Sequence, residues 1–424
     1  MKVLVLGSGA REHALVKAIA ADPEVDAVIA APGNPGIDAT ALCVPLDILD
    51  GEAVASLARE HEVDLVVVGP EAPLVAGVAD VCRSAGFPVF GPSAGAALLE
   101  GSKSFAKEIM AAAEVPTALA HICTTIEEVG SALDAFGPPY VVKDDGLAAG
   151  KGVVVTDSRE AALQHGERSL AKAGGRVVVE EYLDGPELSV FCISDGTHVV
   201  ALEPAQDFKR VGDGDLGPNT GGMGAYSPLD WAPPGLAEDV VARVAQPTID
   251  EMHRRGTPFV GVLYVGLALT KRGPKVIEFN VRFGDPDGHA SFVRLESPFA
   301  QLLLAAATGE LEGFGRLRWA DDYAVVVVIA SEGYPGAPRT GDPITGLDAA
   351  GEVPGVVVLH AGTKRDDSGA LISAGGRVLN VVAVGSDLGK ARSAAYDAVS
   401  VVELPGSHHR TDIALRAELG EITV

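Results

Sequence analysis

Short apolar runs alternate with helix-like spacing over the first hundred residues. The spacing after the first run predicts a helix over Arg11–Ala21, and the runs predict strands at Val3–Leu6, Val25–Ala30, Val63–Gly69 and Pro88–Phe90. Strands that alternate with helices favour a parallel sheet covered by helices on both faces. We therefore predict an open α/β domain over residues 1–102.

The pattern becomes richer in strands beyond residue 102. After a helix at Ser104–Ala113, strands are predicted at Tyr140–Lys143, Gly152–Val155, Val177–Glu180, Leu188–Ile193, Val199–Leu202, Val262–Thr270, Val276–Val281 and Tyr323–Ala330. The first two are joined by a Gly-rich loop, as in a hairpin. The predicted domains, α/β and α+β in class, are a small unit at 115–187, a central domain at 188–322 that includes 103–114, and a C-terminal domain at 323–424.

Composition and charge narrow the class of protein. The 424 residues exceed what one compact core usually holds. The formal charge is −25, from 33 basic and 58 acidic residues, which argues against a nucleic-acid surface because such surfaces cluster Lys and Arg. The cysteines are widely spaced, and no apolar run approaches the roughly 18 residues of a membrane span. We expect a cytoplasmic monomer that binds neither nucleic acid nor membrane.

The first Gly-rich turn, Gly7-Ser8-Gly9, lies between a predicted strand and a predicted helix, where backbone amides bind anions. The dinucleotide fingerprint is incomplete, because Glu12 stands where the third glycine belongs and no acidic residue ends the second strand. NAD binding is therefore disfavoured. Two interpretations stay open: a site for the phosphate of a small substrate, or a tight turn required only for packing.

The second Gly-rich loop, Gly146–Gly152, contains Lys151. It is not a Walker A loop, because only three residues separate its first two glycines and a strand follows it instead of a helix. A hairpin tip of this kind can close over a triphosphate, with Lys143 reaching the same phosphates. The alternative is a flexible surface hairpin with a solvated lysine.

Polar and apolar residues alternate along the predicted strand Val276-Ile-Glu-Phe-Asn-Val-Arg282. Glu278, Asn280 and Arg282 are predicted to share one face, and Ile277, Phe279 and Val281 the other. Carboxylate and amide oxygens suit Mg²⁺, and a guanidinium suits a phosphoryl group. The strand therefore predicts a site for a metal-bound triphosphate. The alternative is a polar face with a structural Glu–Arg pair.

A long polar loop, Asp207–Gly224, is rich in glycine. Loops of this length inside a domain are often functional, and the carboxylates of Asp213 and Asp215 could hold an amine. The alternative is a solvated Ω-loop. We interpret His408-His409 as surface residues and His13 as a packing or capping residue.

Several longer motifs together resemble one known family. They are Gly7-Ser-Gly-Ala-Arg-Glu-His13, Ala31-Pro-Gly-Asn34, Gly69-Pro-Glu71, Leu99-Glu-Gly-Ser-Lys103, Asp145-Gly-Leu-Ala-Ala-Gly-Lys-Gly152, Gln206-Asp-Phe-Lys-Arg210, Gly217-Pro-Asn-Thr-Gly-Gly-Met-Gly-Ala-Tyr-Ser-Pro228, Glu278-Phe-Asn-Val-Arg-Phe-Gly-Asp-Pro286 and Gly375-Gly-Arg-Val-Leu-Asn380. Their order and spacing are similar to those of the phosphoribosylamine–glycine ligase family over nearly the whole chain.

The resemblance implies an ATP-grasp fold with an N-terminal α/β domain, a small lid, a central ATP-binding domain and a C-terminal domain. It implies a step of de novo purine synthesis in which ATP phosphorylates glycine. The amine of 5-phosphoribosylamine then attacks the acyl phosphate, giving glycinamide ribonucleotide, ADP and phosphate. The implied cofactors are ATP with Mg²⁺ or Mn²⁺.

The resemblance also implies site residues. ATP phosphates would contact Lys103, Lys143 and Lys151, adenine would contact Glu180, Glu181 and Leu183, and Glu187 would hold the ribose. Gly150, Gly152, Lys209 and Asn280 complete the implied ATP site, and Glu278 with Asn280 would bind the metal. The phosphate of phosphoribosylamine would lie on Gly7, Ser8, Gly9 and Arg11. The substrate pocket would be lined by Glu71, Asp215, Asn219, Thr220, Gly221 and Gly222, and the catalytic residues would be Arg282, Lys151 and Asp215.

The chain departs from the family pattern at three places. Asp285-Pro-Asp-Gly-His289 stands where the family usually has Asp-Pro-Glu-Thr-Gln, Asp144 replaces a usual Ala, and Ala10 replaces a frequent Gly. We expect Asp144 to weaken phosphate binding through its charge. These changes leave the predicted metal ligands untouched and put the identity of the carboxylate or amine in doubt. The main alternative is an ATP-grasp paralogue that joins a different amino acid to a different amine, and a more distant one is a nucleotide-binding protein without turnover.

Overall fold

The N-terminal sheet carries the first Gly-rich turn at the end of its central strand. The structure is a computed structural model that describes residues 1–147, 152–172 and 174–424. The strands of this sheet are β1 (Lys2–Gly7), β2 (Ala27–Pro32), β3 (Leu42–Cys43), β4 (Leu65–Val68) and β5 (Val89–Phe90). They pair in the order β3-β2-β1-β4-β5, with every pair parallel. The predicted parallel sheet is confirmed.

Helices cover both faces of this sheet. They are α1 (Ala10–Ala20), α2 (Gly51–Glu60), α3 (Glu71–Val75), α4 (Val78–Ser84) and α5 (Ala94–Gly101). Side chains alternate along β1, so Val3 and Val5 lie in one apolar cluster with α1, while Leu4 and Leu6 lie in another with α2, α4 and α5. The β1 strand is thus buried on both faces, which fixes the position of the turn that follows it.

The lid follows α6 (Lys103–Ala112) and has its own small core. Its elements are β6 (Ala120–Cys123), α7 (Ile126–Phe136), β7 (Tyr140–Asp144), β8 (Val153–Thr156), α8 (Arg159–Leu170) and β9 (Val177–Glu180). The antiparallel order is β6-β9-β7-β8, so β7 and β8 form the predicted hairpin. Val129, Leu133, Val142 and Val179 are buried between the sheet and the two helices.

The central segment contributes strands to three different sheets. Its elements are β10 (Glu187–Asp195), β11 (Val199–Ala201), β12 (Gln206–Asp207), β13 (Arg210–Gly212), β14 (Leu216–Asn219), β15 (Gly224–Ser227), α9 (Leu236–Val240), α10 (Gln246–Arg254), β16 (Val260–Thr270), β17 (Gly273–Asn280), α11 (Asp287–Phe292) and α12 (Phe299–Thr308). One antiparallel sheet has the order β11-β10-β16-β17, and β13 pairs with β14 as a separate hairpin. A short turn joins β16 directly to its antiparallel neighbour β17.

The last segment completes a five-stranded sheet with two strands from the middle of the chain. Its elements are β18 (Tyr323–Ala330), α13 (Leu347–Gly351), β19 (Val356–His360), β20 (Thr363–Arg365), β21 (Leu371–Ser373), β22 (Arg377–Gly385), α14 (Leu388–Val401) and α15 (Leu415–Glu418). The order is β12-β15-β18-β22-β19. This sheet crosses the boundary predicted at residue 323. Among the described residues, no helix combines the length and apolar character needed to cross a bilayer.

Candidate active site

Polar side chains line one side of the end of β17, as the alternation predicts. Glu278, Asn280 and Arg282 are partly exposed, whereas Phe279 and Val281 are buried. Glu278 pairs with Gly266 and Val276 with Leu267, so the register shifts at residue 277.

The register shift corrects one part of the prediction. Ile277 was predicted to share the buried face, but it is partly exposed, and Val276 is buried instead. An extra residue in one strand of an antiparallel pair breaks the alternation locally. The carbonyl oxygen of Ile277 accepts a hydrogen bond from Nζ of Lys143 at 3.0 Å. The bulge therefore connects the strand to the lid.

The carboxylate of Glu278 lies among positive charges from three segments of the chain. Burial acts to raise its pKa, but Lys209, Lys143, Lys103 and Arg282 outweigh burial, and the net pKa is lowered. Glu278 is therefore ionised at neutral pH. An ionised carboxylate beside four cations can hold a metal ion together with the phosphates that those cations attract.

Two of these cations come from the lid and its connection to the N-terminal domain. Lys103 begins α6, and its Nζ donates to the carbonyl oxygen of Gly146 at 3.0 Å. Lys143 is buried in β7 and lies 2.8 Å from the carboxylate of Glu180, which is also 3.0 Å from Lys107. The Glu180 side chain, which was predicted to meet adenine, thus serves as the counter-ion of Lys143 and Lys107.

The third lysine, Lys209, lies in the central segment, between β12 and β13. Its Nζ is 2.9 Å from the carboxylate of Glu187, which is exposed, and 3.9 Å from that of Asp207. Burial acts to lower the pKa of Lys209, but the Asp207 and Glu187 carboxylates raise it well above its ordinary value. The predicted ribose ligand Glu187 and the predicted ATP ligand Lys209 are therefore brought together.

The segment between β9 and β10 contains the other two predicted adenine contacts. The Glu181 carboxylate accepts hydrogen bonds from the Leu119 amide at 3.1 Å and from Lys275 Nζ at 2.8 Å. Leu183 is half-buried. Glu181 therefore ties this segment to the start of the lid and to β17.

The Gly-rich loop of the lid is only partly described. Gly150 and Lys151 lie outside the described residues. The carbonyl oxygen of Gly152 accepts the Asp144 amide at 2.7 Å. The Asp144 carboxylate faces α8, where it is bound by Ser169, Lys172 and, at 3.1 Å, His165. Because Lys143 and Asp144 project to opposite faces of β7 and Lys172 neutralises Asp144, the structure gives no support to the expectation that Asp144 weakens phosphate binding.

The turn after β1 is filled by Glu12. Its carboxylate accepts the Gly9 amide at 2.7 Å and Nε of Arg11 at 2.6 Å. A side chain at Gly7 or Gly69 would collide with Glu12, and Gly7 has a φ of +123°. Ser8 is exposed, and its carbonyl oxygen accepts Asn34 Nδ2 at 2.8 Å. The residue that breaks the dinucleotide fingerprint therefore organises the turn.

Arg282 is held between two carboxylates of the N-terminal domain. Its Nε lies 3.5 Å from Glu71, and its Nη2 lies 3.5 Å from Glu100. Arg11 lies 3.9 Å from the same Glu71 oxygen. Burial acts to lower the pKa of Arg282, but Glu100 and Glu71 raise it above its ordinary value. The predicted phosphate cradle and the predicted catalytic arginine thus meet at Glu71.

The predicted pocket loop Asn219–Gly222 is fixed from two sides. Asn219 pairs with Arg210 in the β13–β14 hairpin. The Thr220 amide and hydroxyl both donate to the carbonyl oxygen of Lys209, at 2.7 and 2.9 Å. Gly221 donates its N–H to the hydroxyl of Tyr334 at 3.0 Å. The loop therefore links Lys209 to the C-terminal domain.

Arg377 is a site residue that the sequence interpretation missed. Its guanidinium donates to the carbonyl oxygens of Gly221 at 2.7 Å and Asp285 at 2.6 Å, and it forms an ion pair with the Asp285 carboxylate at 3.1 Å. A side chain at Gly222, whose φ is +116°, would collide with Pro286. The motif Gly375–Asn380 was noted in the sequence, but nothing in one chain indicated what its arginine contacts.

Asp215 is not brought together with Arg282. It lies at the tip of the β13–β14 hairpin, 58% exposed, and pairs with Arg410 at 2.7 Å. The neighbouring Asp213 accepts the amide of Thr411 at 2.8 Å, and the Gly214 amide donates to Asp412 at 2.8 Å. The contacts of the hairpin tip are thus made by the C-terminal segment, and the amine contact of these carboxylates stays a prediction.

The three residues 287–289, where the chain departs from the family pattern, are buried near the predicted substrate pocket. The Asp287 carboxylate accepts the Ser189 hydroxyl at 2.7 Å, and burial raises its pKa. Burial also raises the pKa of Asp207, with Asp287 adding to the effect. His289 is fully buried, and its Nδ1 lies 3.2 Å from Asn380 Nδ2. The changed residues therefore alter a polar network under the pocket.

Comparisons with known proteins cover the same architecture. The family models for phosphoribosylglycinamide synthetase match the N domain at residues 1–100, the ATP-grasp (A) domain at 101–288 and the C domain at 324–416. The phosphoribosylamine–glycine ligase of Streptomyces coelicolor is 62% identical over 419 residues, 98% of this chain and 99% of the relative. That of Mycobacterium tuberculosis is 56% identical over 429 residues and 100% of both chains.

A solved structure agrees with the sequence matches. The crystal structure of phosphoribosylamine–glycine ligase from Thermotoga maritima superposes with a TM-score of 0.84 at 33% identity, covering 98% of this chain and 100% of that chain. The family models at residues 1–100 and 101–288 include the turn after β1, the lid and the end of β17. The chain is a member of the phosphoribosylglycinamide synthetase family.

Proposed function

We propose that this protein ligates glycine to 5-phosphoribosylamine at the expense of ATP, through glycyl phosphate, in de novo purine synthesis in the cytoplasm. The products are glycinamide ribonucleotide, ADP and phosphate. The observation that carries the proposal is the ionised Glu278 among Lys103, Lys143, Lys209 and Arg282 at the junction of lid and central sheet. Membership of the family supports the same activity.

ATP is the nucleotide of ATP-grasp ligases, and the metal belongs to the proposal. Among the described ranges, no group of three or more His, Cys, Asp or Glu side chains could hold a metal ion. Mg²⁺ commonly needs only one or two protein ligands when substrate phosphates supply the others. Glu278 and Asn280 fit this role for Mg²⁺ or Mn²⁺. When bound, the metal would neutralise phosphate charge during transfer.

The lysines bind and orient the triphosphate. Lys103 begins α6, Lys143 lies in β7 of the lid and Lys209 lies in the central segment, and the charges of all three act on Glu278. We include Gly150, Lys151 and Gly152 as the part of the lid that covers the phosphates. Glu180, Glu181 and Leu183 form the adenine side, and Glu187 the ribose side. When the lid is closed over the nucleotide, these residues together exclude water from the phosphoryl group.

Arg282 stabilises the transferring phosphoryl group, because its guanidinium carries charge beside Glu278 and keeps donors that Glu71 and Glu100 do not fully use. The second substrate is bound across the domain junction. Gly7, Ser8, Gly9 and Arg11 cradle its phosphate, with Glu71 beside them. The loop Asn219–Gly222 lines the pocket for the carboxylate and the amine. Asp215 supports this loop from the hairpin tip, since its carboxylate binds Arg410.

The test is ADP release by the purified protein, with glycine and phosphoribosylamine supplied together and each omitted in turn. Release that requires both substrates is the expected result. Release that requires another amino acid, tested with alanine and serine, would indicate a paralogue with different specificity. Nucleotide binding without turnover under every condition would contradict the proposal. Size-exclusion chromatography would test the proposed monomer.

A further inference from the structure

Glu100 contacts the end of β17 without a role in the chemistry proposed above. It lies in the last turn of α5, and its side chain is 9% exposed. Its Oε2 accepts the peptide N–H of Val281 at 2.8 Å. Its Oε1 lies 3.5 Å from Nη2 of Arg282. One carboxylate therefore holds both the backbone and the guanidinium at the point where the strand ends.

We infer that Glu100 is a positioning residue that directs the Arg282 guanidinium toward the transferring phosphoryl group. The inference rests on the proposed role of Arg282. A guanidinium stabilises a transition state only if it is already oriented, because reorientation during the reaction would cost what the contact gains. Glu100 supplies that orientation from a different domain.

The strand itself does not orient Arg282. The ladder between β16 and β17 ends at the pair Tyr264–Asn280, so residues beyond 280 have no partner in that ladder. The Val281 amide finds its acceptor in Glu100 instead. This bond continues the fixed backbone for one more residue, and Arg282 starts from it.

The second carboxylate near Arg282 differs from Glu100 in two respects. Glu71 is 30% exposed, and the oxygen that faces Arg282 also faces Arg11. Glu71 therefore lies on the side of the proposed phosphate cradle and is shared between two arginines. Glu100 is more deeply buried and is tied to the backbone. Of the two, Glu100 is the fixed support.

Arg282 keeps the capacity to bind an anion while Glu100 holds it. Its side chain is 22% exposed. Within the described residues its buried Nε has no hydrogen-bond partner, and its Nη1 donates to the carbonyl oxygen of Phe283 at 3.2 Å. Both carboxylates lie at 3.5 Å, which is longer than a strong charge-assisted hydrogen bond. The arrangement therefore orients the guanidinium without saturating it.

The connection after Glu100 also reaches the lid. The Asp145 carboxylate accepts the Ser104 amide at 3.0 Å and the Ser102 hydroxyl at 3.0 Å, and Lys103 contacts Gly146. The segment from Glu100 to Ser104 thus touches the end of β17 at one end and the lid loop at the other. A positioning role for Glu100 fits this place in the fold.

The test is Glu100→Gln in the full chain, which keeps an oxygen acceptor for the Val281 amide and removes the charge facing Arg282. We expect kcat for glycine-dependent ADP release to fall about tenfold, with KM for ATP within about twofold of the original value. Glu108→Gln is the matched control, because Glu108 forms an exposed ion pair with Arg255 at 2.6 Å. It should leave kcat unchanged.

A double-mutant cycle with Arg282→Ala separates positioning from general damage. If Glu100 acts through Arg282, Glu100→Gln should lower kcat by less than about twofold in the Arg282→Ala background. Rates are normalised to the fraction of protein that binds ATP, so misfolded protein does not count. An equal loss in both backgrounds, or an unchanged kcat in the single variant, would overturn the inference alone.

Failure at an earlier level gives a different result. Full activity of Arg282→Ala would overturn the role of Arg282 and the positioning role of Glu100 with it. Absence of glycine-dependent ADP release in the unaltered protein would overturn the proposed function itself. The role of Glu100, the role of Arg282 and the proposed function are therefore tested by separate measurements.

Discussion

The guanidinium of Arg377 donates to the carbonyl oxygen of Asp285 at 2.6 Å and lies 3.1 Å from the carboxylate of the same residue. It also donates to Gly221 at 2.7 Å. Arg377 begins β22 of the C-terminal sheet, whereas Asp285 follows β17 and Gly221 belongs to the pocket loop. One side chain thus sets the distance between the segment after β17 and the loop that is proposed to line the substrate pocket.

Arg377→Leu should loosen this pocket. The Asp285 carboxylate, 13% exposed, would lose its ion-pair partner. Loss of a largely buried partner costs about 3 kcal/mol of unfolding free energy, and the misplaced loop should raise KM for glycine at least about tenfold. Urea unfolding and steady-state kinetics measure the two effects. Arg339→Leu, which removes an exposed arginine of the same domain, should cost less than about 1 kcal/mol. Equal effects of the two changes would contradict the prediction.

Glu278→Gln should abolish turnover while the protein stays folded. The amide is a poorer metal ligand and no longer compensates the four surrounding cations. We expect kcat to fall at least about 100-fold, measured by ADP release at saturating Mg²⁺. Glu60→Gln, an exposed change on α2, serves as the control. Activity within about twofold of the original would refute the metal assignment.

Asp215→Asn should have little effect on chemistry. Asp213 still accepts the Thr411 amide and Asp412 still accepts the Gly214 amide, both at 2.8 Å, so the hairpin tip remains attached. We expect kcat within about threefold of the original value. Arg410→Met, by contrast, should lower the free energy of unfolding by about 3 kcal/mol, because the arginine is 1% exposed and serves both carboxylates. A 100-fold loss of kcat in Asp215→Asn with unchanged stability would restore the catalytic role first predicted for it.

His289→Gln should flatten the dependence of stability on pH. Burial lowers the pKa of His289 to about 4, a shift that Asp285 opposes only in part. Between about pH 6.5 and 4 this histidine binds a proton in the unfolded chain but not in the folded chain. The free energy of unfolding therefore falls as pH falls through this window. The slope from one such histidine is about 1.4 kcal/mol per pH unit.

Urea unfolding at several pH values between about 7 and 5 measures this slope. The glutamine variant restores the usual family residue at this position. Its stability should depend less steeply on pH, by an amount that corresponds to at most one bound proton, and its activity at neutral pH should be unchanged. An identical slope in both proteins would show that His289 is protonated in the folded state as readily as in the unfolded chain.

The sequence was most informative where function depends on local periodicity. Alternation along residues 276–282 separated Glu278, Asn280 and Arg282, which are partly exposed, from Phe279 and Val281, which are buried. Period alone could not reveal the bulge at Ile277, because a bulge depends on the register with β16. The Gly-rich turn was likewise located correctly, but the packing of Glu12 against Gly7 and Gly69 depends on three segments meeting.

Contacts between distant segments were beyond the reach of one sequence. Asp215 and Arg410 lie 195 residues apart, and a carboxylate in a polar loop gives no sign of such a partner. Glu100 and Arg377 both stood inside motifs that had been noted, yet no role was assigned to them. Their roles depend on which domain packs against which, and hydrophobic patterning predicts domains better than their contacts.

The pairing of β15 with β18 constrains how the chain can be divided. Gly224 lies opposite Val327, so β15 pairs with a strand that follows it by about a hundred residues in the chain. A truncated product that stops before Tyr323 would retain Lys103, Lys143 and Lys209. It would leave the edge of β15 that pairs with β18 without a partner, and an unpaired strand edge favours aggregation. Expression of the first three quarters of the chain as a minimal nucleotide-binding unit should therefore fail unless that edge is redesigned.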